Sequence, residues 1–133
     1  MQPIEKERGE RGEFSIGELA TEFDVTPRAI RFYEDHGLLA PRRAGTRRIY
    51  SPRDRTRLKL TLRGKRLGLT LSEIRELIDM HEPGRDERPQ LARFLAVLET
   101  HKASLQQQRM DIEAQLTELQ LFEKKIRKQL KRG

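Results

Sequence analysis

From Gln90 to Leu130 the chain has neither proline nor glycine, and its apolar residues recur every seven positions. Leu91, Leu98, Leu105, Ile112, Leu119 and Ile126 form one series, six in a row. A second series, four residues on, runs Leu95, Lys102, Arg109, Leu116, Glu123 and Leu130; it is apolar at three layers and charged at three. A heptad sustained over this length is the pattern of a coiled coil. At a rise of about 1.5 Å per residue the helix would extend about 60 Å. The remaining chain is too short to bury such a stripe, so a second copy of the chain is the economical cover. A hairpin folding back on itself is the alternative, but no turn signal interrupts the run. The charged layers Lys102, Arg109 and Glu123 read most simply as tuning dimer register, their stems packing while their heads reach water. Pairing across the dimer, or a groove between coil and head that admits an anionic metabolite, are the other readings.

What precedes the coil has the punctuation of a small helical head. Ser15 with Glu18 is a capping box, and Ile16, Leu19, Ala20 and Phe23 then fall on one face of a short helix. Asp24-Val25 makes a turn. Thr26-Pro27 opens a second helix that runs to about His36, and Gly37 stops it. Two short helices joined by a tight turn form a helix-turn-helix, although the turn lacks its common glycine. Leu38-Leu39-Ala40, Pro41 to Thr46 and Arg47 to Tyr50 read as a β-hairpin with its tip near Ala44-Gly45, the wing. Ser51-Pro52 starts a third helix, with Asp54 in its first turn, that runs to about Leu67 before Gly68. Thr70 with Glu73 caps a fourth, whose buried face is Leu71, Ile74, Leu77 and Ile78. Glu82-Pro83-Gly84 then breaks the chain. The expected organisation is a flexible leader at 1–13, a winged helix-turn-helix DNA-binding domain at 14–82, a linker at 83–89, a coiled-coil dimerisation helix at 90–130 and a tail at 131–133. The fold class is mainly α.

Charge locates the working face. The formal net charge is +7, and Pro41 to Arg66 alone holds eleven Lys and Arg against one acid, Asp54. Residues 1–13 balance to −1, three bases against four acids, so the excess is localised. A concentrated basic stretch suits a polyanion. In a helix-turn-helix the second helix enters the major groove. On it Ile30 and Tyr33 share the side that packs on helix one, while Arg28 and Arg31 project. Arginine is the commonest bidentate reader of guanine O6 and N7, so these two are the expected readers, with phosphate contact as the plainer role. The Tyr33 hydroxyl is a phosphate donor if its ring packs, and plain core otherwise. Arg42, Arg43, Arg47 and Arg48 on the wing are placed to neutralise flanking phosphates. Ser15 and Tyr50 complete the expected DNA contacts of the head. Helix three carries further bases that cannot all face one way.

Other classes fare badly. The chain has no cysteine, which removes disulfides, thiolate metal sites and cysteine redox switches. His36, His81 and His101 are too far apart to share a metal and read as surface residues; no metal and no cofactor is expected. No nucleophile–base pair or phosphate-binding loop appears, so an enzyme is not expected. An aromatic content of 5% argues against a single-strand RNA binder, which would stack bases on aromatic rings. No apolar run approaches the roughly 20 residues of a membrane span, and residues 1–13 lack a signal-peptide core; a cytoplasmic protein with no membrane partner is expected.

Ser15-Ile16-Gly17-Glu18-Leu19-Ala20, Val25-Thr26-Pro27-Arg28-Ala29-Ile30-Arg31-Phe32-Tyr33-Glu34 and Gly37-Leu38-Leu39-Ala40-Pro41 together resemble the MerR family of bacterial transcription regulators. Arg48-Ile49-Tyr50 and Arg66 to Ile74 do so too, and the likeness covers about residues 14–80. The resemblance implies a homodimer whose long helices pair antiparallel. It implies binding to a pseudo-palindromic promoter site and bending and untwisting of the spacer for RNA polymerase. Thr26, Arg28, Arg31, Tyr33, Arg47 and Arg48 match positions that usually meet DNA. The chain departs from thiolate metal sensors, which carry cysteines, and from multidrug-sensing members, which append a ligand domain where only a few residues follow the coil here. Ile49 to Arg55, Leu58-Lys59-Leu60 and Arg63 to Arg66 look similar to LiuR-like members, regulators of branched-chain amino acid and acyl-CoA catabolism genes. A non-metal metabolite such as an acyl-CoA is therefore the candidate small-molecule effector.

Overall fold

Hydroxyl residues start four of the helices, for one physical reason. The first backbone N–H groups of a helix have no partner inside it, and a short side-chain oxygen supplies one. In the computed structural model, which describes residues 12–81 and 88–132, Ser15 accepts from Glu18 N and opens α1 (Ile16–Phe23). Thr26 accepts from Ala29 N and opens α2 (Pro27–Asp35). Ser51 does the same for α3 (Pro52–Arg66) and Thr70 for α4 (Leu71–Met80). Glu18, Asp54 and Glu73 reach back to the cap N–H groups, which makes three reciprocal boxes.

The stops are as local. Asp24 takes φ 54°, and its N–H returns to Ala20 O and Thr21 O. This is why the turn between α1 and α2 works without glycine: a short polar side chain tolerates the left-handed region. Gly37 adopts φ +75°, ending the turn after α2.

The wing differs from the sequence expectation. Its strands are β1 (Arg42–Ala44) and β2 (Arg47–Ile49), antiparallel, with Arg42 opposite Ile49, Arg43 opposite Arg48 and Ala44 opposite Arg47. Leu38 and Leu39 are not part of a strand; they are 1% and 2% exposed and belong to the core. Two adjacent leucines gain more from burial, about 1.5–3 kcal/mol each, than from an exposed hairpin arm. The two-residue turn is Gly45-Thr46, one position later than expected. Gly45 has φ +66°, as the first central position of a type II′ turn demands. Phe14 and Tyr50 bridge through two backbone hydrogen bonds of 2.8 Å, tying the segment before α1 to the end of the wing.

Leu19, Ile30, Leu38, Tyr50, Leu58, Ile74 and Ile78 form the sealed core of this unit, joined by Thr61. Thr61 satisfies its hydroxyl by donating to Arg57 O at 2.8 Å. Met80 is buried with them, beyond the face expected for α4.

A second unit begins at Arg88. It is one uninterrupted helix, α5 (Arg88–Arg132), 45 residues long. It starts two residues before the expected Gln90, since Pro89 sits in the first turn, where a missing N–H costs nothing. There is no hairpin. Arg109 and Glu123 meet partners one turn on in the same helix, Glu113 at 3.9 Å and Arg127 at 2.8 Å. The heptad side chains are exposed in the single chain, Leu105 at 57% and Leu119 at 64%. Residues 1–11 of the expected leader, 82–87 of the expected break and linker, and residue 133 of the tail lie outside the described residues. No described helix is long and apolar enough to cross a membrane.

Candidate nucleic-acid interface

α2 presents two faces. Ile30 and Tyr33 are buried, 0% and 7% exposed, and anchor the helix to the head. Arg28 and Arg31 are exposed on the opposite side, with no ion-pair or hydrogen-bond partner among the described residues. Thr26 is exposed beside them but its Oγ1 is engaged by Ala29 N at 3.1 Å. The expected division of the helix is therefore what the fold produces. Tyr33 behaves chiefly as core, and burial pushes its phenol pKa up. The aromatic ring that does reach the surface is Phe32, 45% exposed and leaning on the His36 ring at 4.2 Å between centroids. The sequence reading passed over it.

The wing arginines do not behave alike. Arg47 is exposed and has no partner among the described residues. Arg42 donates to Glu13 at 2.7 Å, but the two side chains are 61% and 48% exposed. An exposed pair of this kind is worth about 0–1 kcal/mol and yields readily to a phosphate. Arg43 and Arg48 both turn to Glu34 of α2. Arg48 Nε donates to Glu34 Oε1 at 2.7 Å, with side chains 24% and 17% exposed, and Arg43 Nη2 approaches Oε2 at 3.4 Å. The hydrogen bond to Glu34 raises the pKa of Arg48 further.

Tyr50 corrects an expectation. It was expected on DNA, but it is 0% exposed. Its hydroxyl lies 3.4 Å from Glu34 Oε1, and burial first, then the Glu34 charge, push its pKa up to about 12. Its ring fills the core behind the wing. Ser15 is half-buried, its hydroxyl engaged in capping α1.

Three side chains whose distant partners the sequence did not reveal fasten the segment that follows α2. Buried Asp54 accepts from Ala40 N at 3.0 Å while capping α3 through Ser51. Arg57 Nε donates to Leu38 O at 2.7 Å. Arg75 of α4 donates to His36 O. Arg55 pairs with Glu22 of α1, and its guanidinium lies over the Phe23 ring at 5.6 Å. Arg55 and Arg57, near the start of α3, thus have structural roles. Asp54 left a trace in sequence as the acid in the first turn of α3, and Glu34 another as an acid four residues after Ile30; the partners of neither did.

A helix-turn-helix with unpaired arginines on its outer face, a basic wing beside it and a separate long helix define a DNA-binding regulator by architecture. Residues 14–81 match the family described as MerR HTH family regulatory protein, and residues 55–122 match the one described as MerR, DNA binding. The chain belongs to the MerR family of DNA-binding transcriptional regulators. It is 30% identical over 117 residues to the HTH-type transcriptional regulator ZntR of Escherichia coli K12, covering 86% of this chain and 77% of that one. A MerR family regulator from Bacillus cereus has a similar structure, with a TM-score of 0.64 and 27% identity over 79% of this chain and 75% of its own. HiNmlR, a MerR family regulator lacking the sensor domain and bound to promoter DNA, shares the fold with a TM-score of 0.55 and 21% identity, covering 78% of each chain.

Proposed function

We propose that two copies of this chain pair through α5 and hold a pseudo-palindromic promoter site. In this reading α2 of each head lies in the major groove, and each wing lies on the flanking backbone. The observation that carries it is the outer face of α2, where Arg28 and Arg31 stand exposed with no described partner beside a basic wing. Arg28 and Arg31 read base edges, Thr26 and Arg47 meet phosphate, and Arg42 exchanges Glu13 for phosphate. Bending and untwisting the site for RNA polymerase is the output, with the binding energy offsetting deformation. The apolar stripe Leu91, Leu95, Leu98, Leu105, Ile112, Leu116, Leu119, Ile126 and Leu130 is the dimer seam.

The test separates base from backbone contacts. Arg28→Ala should relax preference at one position per half-site, costing about 1–3 kcal/mol there. Arg47→Ala should weaken all duplexes alike and lower the slope of log K against log salt by about 1. Competition binding against a set of single-base variants measures both; an Arg28→Ala loss that ignores sequence would sink the base-reading role.

The signal is proposed to be an organic anion. The chain has no cysteine, and no cluster of three metal-binding side chains occurs among the described residues. The likeness of residues 49–66 to LiuR-like members supports an acyl-CoA. A rise in melting temperature with acyl-CoAs is the expected outcome, by linkage of ligand to the folded state. No shift at saturating acyl-CoA excludes that effector.

A further inference from the structure

Glu34 occupies an unusual place for an acid. It stands on the helix that reads DNA, beside the most basic stretch of the chain, where a negative charge opposes phosphate binding. Both of its oxygens are taken by the wing. Oε1 receives Arg48 Nε at 2.7 Å and the Tyr50 hydroxyl at 3.4 Å, and Oε2 faces Arg43 Nη2 at 3.4 Å. Glu34 also has a competing neighbour. Arg31 lies three residues earlier on α2, a spacing at which opposite charges meet on a helix surface. Yet Arg31 has no partner among the described residues; neither Glu34 nor Asp35, four residues on, is paired with it. The wing wins this competition because two guanidinium groups and a phenol converge where Glu34 is only 17% exposed, and charges attract more strongly away from water.

Building on the reading of α2 and the wing as the DNA-binding face, we propose that Glu34 is a positioning residue with two linked effects. It fixes the wing against the recognition helix through Arg48. By being held there, it leaves Arg31 unquenched for DNA. Arg48 is then the keeper of Glu34 rather than a phosphate clamp. Arg43, more exposed and more loosely held, is the wing arginine that Glu34 releases to the DNA backbone.

The proposal predicts a reversal of sign. A duplex site is first selected from a random pool with the full-length protein. Binding to that site and to a scrambled duplex is then measured at one salt concentration for wild type, Glu34→Gln, Arg48→Ala and the double variant. In the wild-type background Glu34→Gln should weaken the selected site about tenfold, the loss expected for a charge-assisted hydrogen bond, without weakening the scrambled duplex. In the Arg48→Ala background the 2.7 Å hold on Glu34 is lost and only the 3.4 Å contacts of Arg43 and Tyr50 compete with Arg31, so the same substitution should strengthen binding to the selected site. Loss of a merely structural contact would lower the melting temperature without reversing the sign. An effect of the same sign in both backgrounds overturns the proposal. Arg48→Met, which keeps the packing stem but has neither charge nor donor, takes the place of Arg48→Ala if that variant does not melt cooperatively. Failure of the wild type to select any site would overturn the DNA-reading assignment, and this proposal with it. Selection of a site without the sign reversal overturns the role of Glu34 alone.

Discussion

Two side chains of the same type, seventeen positions apart, illustrate how burial assigns roles. In the sequence Tyr50 was expected on DNA, and Tyr33 either on phosphate or in the core. The packed head makes core of both, and Tyr50 completely so. A buried phenol resists ionisation, so its effect on stability depends on pH. The folded-state pKa of Tyr50, about 12, lies above the ordinary 10.0. Its neutral form therefore supports the fold fully below the ordinary value, and that support is lost as pH rises from there through the folded value. Urea titrations at increasing alkaline pH should show wild type losing stability relative to Tyr50→Phe over this window. Parallel curves for the two proteins would contradict the burial argument.

At the scale of elements, the close approach of α3 and α4 turns on one glycine. A Cβ placed on Gly64 would lie 2.6 Å from Ile74 Cγ1, and Ile74 is fully buried in a helix with little freedom to move. Gly64→Ala has two opposed consequences. Alanine favours the helix over glycine by about 1 kcal/mol, whereas overpacking a sealed core costs about 1–3 kcal/mol. The clash should win, leaving the head up to about 2 kcal/mol less stable by chemical denaturation. An unchanged or higher midpoint would mean that the two helices can part without cost. Elsewhere the elements are joined by few but well-placed polar groups. Asp54 couples the start of α3 to Ala40, and Arg57 and Arg75 hold the carbonyls of Leu38 and His36. The chain after the recognition helix is thereby fastened from two neighbouring helices.

For the whole molecule, α5 is the element on which the proposed pairing rests. An exposed seam of leucine and isoleucine from Leu91 to Leu130, along most of a 45-residue helix, is a large apolar surface for a monomer. Pairing would return about 1.5–3 kcal/mol for each side chain fully buried. Ile112 lies in the middle of the seam and is 55% exposed in the single chain. Placing a carboxylate there, as in Ile112→Asp, should shift the protein from dimer to monomer in sedimentation equilibrium at micromolar concentration. Binding to a two-half-site duplex should weaken at least tenfold, while a single half-site is held as before. A variant that remains dimeric would show that α5 is not the pairing surface.

The sequence disclosed whatever depends on neighbours along the chain. The hydroxyl caps at Ser15, Thr26, Ser51 and Thr70, the stops at Gly37 and Gly68, and the heptads after Gln90 are all interactions across a few residues. Their energies are set by residue type and spacing, so pattern alone finds them. Arg28 and Arg31 were legible for the same reason, since helical periodicity separates them from Ile30 and Tyr33. The tertiary fold settled which charges meet. Arg48 reaches Glu34 across fourteen positions, Asp54 reaches Ala40 across fourteen, and Arg55 reaches Glu22 across thirty-three. It also moved Leu38 and Leu39 from a strand into the core. Run charge along the sequence counts bases without showing their partners. The wing arginines were therefore all placed on DNA and the bases of helix three left unassigned, and only the folded head divides the stretch into arginines that hold the protein together and arginines left to hold something else.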